Sequence, residues 1–546
     1  MAKRLANVKT RKEAGLDYVV AKLNLETPFG IKTLKENQPF FPGEEKKLEE
    51  EFDRIQAMER LIKSEENFAE QISLHVLHGM KDISFTIERS KDNVLSMVEL
   101  FELKSLMLQM ETLSGLVRKI PWGFPVEFTL EDITPLLDRL DPRNDRLNTF
   151  YLYEEFSEKL ICLRGEKRQE ELALRKVQKE KREEIKQKYN VVLTPKFDYI
   201  VSKADGEELE KLSNIEELEL SDQDYMSVTF TLFLGEQGDV QKKKIEEING
   251  KLEEEEERIR AQLSKEVWSY SQALLENCSR IGAMDFTLAK ARYALENQCV
   301  RPEISLEHGI EVEEGHHIQA YDILSSKGKA YIPISMELQR GVTCITGANM
   351  GGKTVSLKLA CLVALLAQYG FFVPCKRAKV GLSNYIQMLI GDSQSLERGL
   401  SSFGSEMEEL KEILDHSKDR SLLLVDEIAS GTNPQEGLAL TKSLIDYLKD
   451  RAYITLITTH FDAIGESKFV RNIQVVGLAN ADFEKLSREI RYANRKERID
   501  IIAKYMDYRL VPIAGTGVIP KDALNIAKML GINEEIIGKA KEYLKK

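Results

Sequence analysis

Residues 346–354 read TGANMGGKT, and what flanks them leaves few folds open. The run before, GVTCITG, is short, β-branched and apolar, as a buried strand is. The run after, KTVSLKLACLVALLAQYG, is apolar on nearly all sides, as in a helix enclosed within a domain. A glycine-rich turn between such a strand and such a helix is the setting of the GxxxxGK[ST] pattern. Its backbone N–H groups and the positive end of the helix cradle phosphates. Gly347, Ala348, Asn349, Met350, Gly351, Gly352, Lys353 and Thr354 are therefore the candidate nucleotide-binding residues. In this pattern Lys353 reaches the β and γ phosphates and the Thr354 hydroxyl ligates Mg²⁺, so ATP and Mg²⁺ are the expected ligands.

Two further apolar runs end in reactive side chains. RSLLLVDE, residues 420–427, places Asp426 to hold the Mg²⁺ shell and Glu427 to polarise an attacking water. YITLITTH, residues 453–460, ends in His460, which can sense a γ-phosphate through a hydrogen bond. Lys353, Glu427 and His460 are the candidate catalytic residues, and Thr354 with Asp426 the candidate metal pair. The order strand, phosphate loop, helix, DE strand, helix, His strand describes an α/β P-loop NTPase with a mostly parallel sheet. Its site lies where strand C-termini face helix N-termini.

GANMGGKT, followed by DEIASGTNPQEGLAL and TTH, resembles the ATPase domain of the MutS family, a branch of the ABC-type ATPases. The segment IGDSQSLERGLSSFGSEMEEL, from Ile390, is similar to the linker of the bacterial MutS group that lacks a mismatch-reading domain. The resemblance implies a nucleotide enclosed by two subunits, with a linker serine, Ser401 or Ser402, reaching the partner's γ-phosphate. It implies that Asn349 supports the bound nucleotide and that GTNPQEG is a subunit-contact loop, hence a homodimer. VRPEIS through IEVEEGHHIQA resembles the family's approach to that domain, and residues 508–544 its C-terminal helical dimerisation segment. There, two short amphipathic helices flank LGIN, and Asn533 can cap the second. Ala348 departs from the proline usual in this loop. The stretch from Ala481 to Leu510 is longer than the family's connection, as a lineage-specific contact surface is.

The same resemblance lays out the whole chain. Residues 1–160 form the first part of a helical core and 161–270 a lever and clamp arm. Residues 271–320 return to the core and approach the ATPase domain, which spans 321–507, with the helical segment at 508–546. The arm has its own signature: two highly charged stretches, from Arg164 and from Gln241, have helical composition and suit an antiparallel coiled coil. Strand-like runs, VVLTPKFDYIVSKADG and YMSVTFTLFLGEQG, lie between them. The cluster KVQKEKREEIKQK can contact phosphates, LEEEEER repels them, and a charge run is also what a solvated helix face looks like.

Composition narrows the target without fixing it. The 546 residues carry a formal net charge of −12, against binding of nucleic acid by bulk charge, although a local basic stripe remains open. Cys162, Cys278, Cys299, Cys344, Cys361 and Cys375 form no CxxC pair, as in a reducing compartment without a zinc site. His75 and His78 read as core histidines. No apolar run reaches the roughly 20 residues of a membrane span, and no secretory signal opens the chain, so a cytoplasmic protein is expected. Neither a mismatch-reading domain nor a small MutS-related nuclease domain is evident in the sequence. Three readings follow: a clamp on mismatched or branched DNA, acting in mismatch repair or recombination control; a reactivase subunit whose client is an adenosylcobalamin-dependent lysine or ornithine aminomutase; or a scaffold whose dimer the nucleotide only stabilises.

Overall fold

The computed structural model describes residues 4–64, 67–121, 124–347, 352–391, 402–429, 432–461, 469–478, 481–491, 498, 501–502, 504–513 and 522–543. It is mixed helical and α/β and divides into two compact units. One comprises residues 79–119 and 129–280, the other residues 1–78, 120–128 and 281–546.

The first unit is dominated by two long helices, Glu158–Tyr189 and Gly235–Ser269. Ser157 caps the earlier helix, its hydroxyl accepting the Leu160 N–H, and Asn190, at φ +57°, closes it. The two run antiparallel. Near the start of the first, Ser157 donates to Glu255 at 2.7 Å and Arg164 pairs with Glu256 at 3.2 Å. At its far end, Ile185 joins Leu232 and Leu234 in a small core. The run LEEEEER is therefore not uniformly solvated. Glu255 is 1% exposed, and hydrogen bonds from Arg258, Ser157 and Lys159 bring its carboxyl down to about 2 against the opposing effect of burial.

That core belongs to an antiparallel sheet of β1 (Asp198–Ser202), β2 (Leu218–Gln223) and β3 (Ser227–Leu232), in the order β1-β3-β2. Alternation in SVTFTL turns Val228, Phe230 and Leu232 inward, and helix Gly206–Ser213 adds Leu212. Elsewhere in this unit Lys104 is 1% exposed. Its ammonium reaches Asp141 at 3.0 Å, the Thr149 carbonyl at 3.0 Å and the Tyr153 hydroxyl at 3.1 Å.

The second unit holds two sheets. β4 (Glu303–Ser305), β5 (Ile310–Gly315), β6 (Ile334–Leu338) and β8 (Arg377–Gly381) form one, in the order β4-β8-β5-β6. The other contains β7 (Gly341–Thr346), β9 (Tyr385–Ile390), β10 (Ser421–Asp426), β11 (Ile454–Thr458), β12 (Val470–Gly477) and β13 (Asp507–Pro512). Its order is β13-β12-β7-β11-β10-β9, parallel throughout except for the β12–β13 pair. β7, β10 and β11 are buried at every residue, which is why they read as continuous apolar runs. Helix Lys353–Gln368 is likewise enclosed, with Leu357 and Leu359 through Gln368 at most 1% exposed.

The N-terminal residues are stitched onto β9: the Leu5 carbonyl accepts the Ile386 N–H at 2.7 Å, and the Thr10 hydroxyl accepts that of Met388 at 3.1 Å. The stretch 481–510, read as a contact surface, supplies helix Phe483–Arg491 and most of β13, and Leu486, Ile490 and Met506 form a small core with Ile526 of helix Asp522–Met529. His75 and His78 depart from expectation. Both are exposed: His75 lies in a π-helical turn, Ser73–Leu77, and His78 follows it, with Nδ1 3.2 Å from Glu26. All six cysteines are free thiols, five buried and Cys162 exposed.

Candidate functional site

Three strand ends and one helix start converge. β7 ends at Thr346, and Gly347 follows at φ +134°, a backbone state that L side chains rarely adopt. Gly352 caps helix Lys353–Gln368 at φ +76°, where an added Cβ would also meet the Tyr508 ring at 3.1 Å. Ala348, Asn349, Met350 and Gly351 lie outside the described residues. Lys353, 3% exposed, donates to the Gly347 carbonyl at 2.8 Å and pairs with Glu427 at 3.1 Å. Its ammonium thus links the end of β7 to the Glu427 carboxylate.

At the end of β10 the two adjacent carboxylates part. Asp426 turns toward the helix start, where its Oδ2 accepts the Thr354 hydroxyl at 2.8 Å, while Oδ1 accepts that of Thr458. Glu427 adopts φ +48°, its N–H held by the Thr458 carbonyl and hydroxyl, both at 3.1 Å. Its carboxylate then faces Lys353 and, at 3.1 Å, His460 Nδ1. The hydrogen bond with His460 and the Lys353 charge hold that carboxyl below its ordinary range, against the opposing push of burial. Ala429, two residues on, is left-handed as well, at φ +58°. Two L residues so placed within one turn carry strain of order 1–3 kcal/mol each, which the surrounding contacts must offset.

Ser401 lies outside the described residues, and Ser402 is the first residue of helix Ser402–His416, its side chain outside the described part. In the GTNPQEG loop, Asn433 caps helix Pro434–Leu448 by accepting the Gln435 N–H at 2.9 Å.

A cavity of about 620 Å³ opens beside the phosphate loop, lined by Leu324, Tyr331, Ile332, Gly352, Val355 and Tyr508 among others. Sequence reasoning named none of these as site residues except Gly352. YIP before β6 carries no nucleotide signature. Tyr508 arrives only because β13 folds back antiparallel on β12. Thr354 and Asp426, two hard oxygen donors in contact, fit a Mg²⁺ ion, and Lys353 at the helix N-terminus fits phosphate.

A family model described as MutS domain V matches residues 343–546. Proteins named Endonuclease MutS2 are similar to the chain. That of Acetivibrio thermocellus is 32% identical over 305 residues, 55% of this chain and 35% of that protein. That of Thermomicrobium roseum is 34% identical over 298 residues, 53% and 35%. That of a Geobacillus species is 32% identical over 319 residues, 58% and 37%. The match therefore spans little more than a third of the length of these relatives. Its phosphate loop and DE strand both lie inside the matched region, which supports a MutS-family ATPase domain in this chain.

Proposed function

We propose that the chain is a dimeric ATPase that couples ATP binding and hydrolysis to closure of its helical arm on DNA. The observation that carries the hydrolytic reading is the meeting of Lys353, Thr354, Asp426, Glu427 and His460 within one hydrogen-bonded cluster at the start of a helix. Lys353 and the helix N-terminus bind phosphate. Thr354 and Asp426 would hold Mg²⁺, which when bound neutralises phosphate charge. Glu427 orients the attacking water, and His460 fixes the Glu427 carboxylate and sits where a γ-phosphate can be sensed. Tyr331, Ile332 and Tyr508 offer apolar walls for the base next to the phosphate loop. Ser401 or Ser402 reaches a partner's phosphate, so the complete site needs two subunits.

For the DNA target, support comes from the MutS family and from helix Glu158–Tyr189, which carries eleven Lys and Arg against seven Glu. The test is steady-state ATP hydrolysis at low and moderate salt, alone and with homoduplex, mismatched and branched DNA. Stimulation by one of these structures, falling with salt, is expected. Glu427→Gln should bind nucleotide yet hydrolyse it roughly a hundredfold or more slowly, whereas Lys353→Ala should lose binding. Normal hydrolysis by Lys353→Ala would remove the site assignment. A rate indifferent to every DNA would remove the DNA target and leave a protein client.

A further inference from the structure

Glu406 takes no part in the chemistry above, yet it is a carboxylate inside the domain, 9% exposed. Its Oε1 accepts the N–H of Ala429 at 3.2 Å, a bond between groups that are both buried. Burial and the nearby Glu409 push this carboxyl up, so the acceptor is kept at an energetic cost that a solvent-facing glutamate avoids. Its location explains the use. Glu406 lies one helical turn beyond Ser402 on helix Ser402–His416. Phe403, Met407 and Leu410 of that helix pack against the same core as Ile428 and Ala429. Glu427 and Ala429 are the two left-handed L residues of the turn that aims the Glu427 carboxylate. A hydrogen bond to the Ala429 N–H fixes the second of them from outside.

We propose that Glu406 is a positioning residue that ties the serine-bearing helix start to the Glu427 turn, so that what engages Ser401 or Ser402 in a partner subunit also sets the aim of Glu427. This rests on the hydrolytic reading given above. A displacement of the helix along its axis is passed to the Ala429 N–H, and through a turn of two peptide units to Glu427. The carboxylate oxygen, rather than its charge, does this, because the partner is a neutral backbone donor.

The test uses the full chain with Glu406→Ala, Glu406→Asp and Glu406→Gln. ATP hydrolysis is measured alongside equilibrium nucleotide binding and thermal unfolding. Losing one aligned hydrogen bond predicts a kcat about tenfold lower for the Ala and Asp variants, with nucleotide affinity unchanged. Asp draws the acceptor back by one methylene, whereas Gln keeps an oxygen in place and should recover most of the rate. Adding Ala429→Gly to Glu406→Ala should restore part of the loss, since glycine enters the left-handed state without help. Should Glu406→Ala fail to fold, the Gln and Asp pair carries the comparison. Asp at the wild-type rate, or Gln as slow as Asp, would overturn the proposal. Glu427→Gln run in parallel separates the two readings: if it hydrolyses normally the role given to Glu427 falls, and the coupling with it, and if it stalls while Glu406→Asp does not, only the coupling falls.

Discussion

At the scale of single residues, identity and environment do not always agree. Asp426 and Glu427 are legible in the sequence because two acids after a continuous apolar strand have few structural uses, and the structure sends one toward Thr354 and the other toward Lys353. Glu406 is not legible, since EMEEL reads as an ordinary solvated helix face. Nor is Lys104, in the run FELKSLMLQM, whose charge argues for exposure although it is buried against Asp141. Breaking a buried pair leaves the other charge uncompensated, so Lys104→Met should cost about 3–5 kcal/mol, read by denaturant unfolding. The pH dependence has a definite sign. Burial raises the Asp141 carboxyl, but Lys104 and Arg146 together outweigh it and hold the group below its ordinary value of 3.8. Its contribution is full at neutral pH, fades as pH falls below that value and is gone beneath the folded-state value. Lys104→Met should therefore flatten acid unfolding as well as lower stability at pH 7.

Among elements, legibility followed burial. β7, β10, β11 and helix Lys353–Gln368 are enclosed on all sides, so their sequences have no polar face and could be read directly. β13 is an edge strand with no buried residue, DYRLVP, and nothing local distinguishes it from a loop. Yet β13 delivers Tyr508 to the wall of the cavity beside Gly352. If that cavity holds the base, Tyr508→Ala should weaken ATP and ADP binding by about tenfold while leaving kcat at saturation unchanged, and Tyr508→Phe should bind normally. Equal loss in Ala and Phe variants, or none in either, would place the base elsewhere; titration calorimetry with both nucleotides decides.

Across the whole molecule the net charge of −12 hides a strong segregation. Residues 190–234, the small sheet and its helix, carry ten Asp and Glu against three Lys, and helix Glu158–Tyr189 carries the opposite balance. In the proposed DNA complex, phosphate contact is therefore expected on the helix and not on the small sheet. Lys176, Lys179 and Lys186 are exposed on that helix. Replacing all three by glutamate should weaken DNA binding at every sequence and reduce the slope of log affinity against log salt by about 0.9 for each phosphate no longer neutralised. Asp222→Asn and Asp224→Asn in the sheet should not lower affinity. Fluorescence anisotropy over a salt series separates these outcomes. The grouping of residues 1–78 with 281–546 was the least legible feature of all. Periodicity and turn signals are local, and the bonds that join these segments are not.

One of those bonds sets a clock. The Thr10 hydroxyl donates to Gln387 across 377 residues of chain, at 3.0 Å. A ribosome adding about 5–20 residues per second makes β9 roughly 20–75 s after the segment that must dock on it. Through that interval Leu5 and Thr10, both buried in the finished protein, have no β9 to bond with. The segment around Thr10 is made well before the strand it docks on, so its apolar residues are expected to stay open to chaperones until β9 emerges.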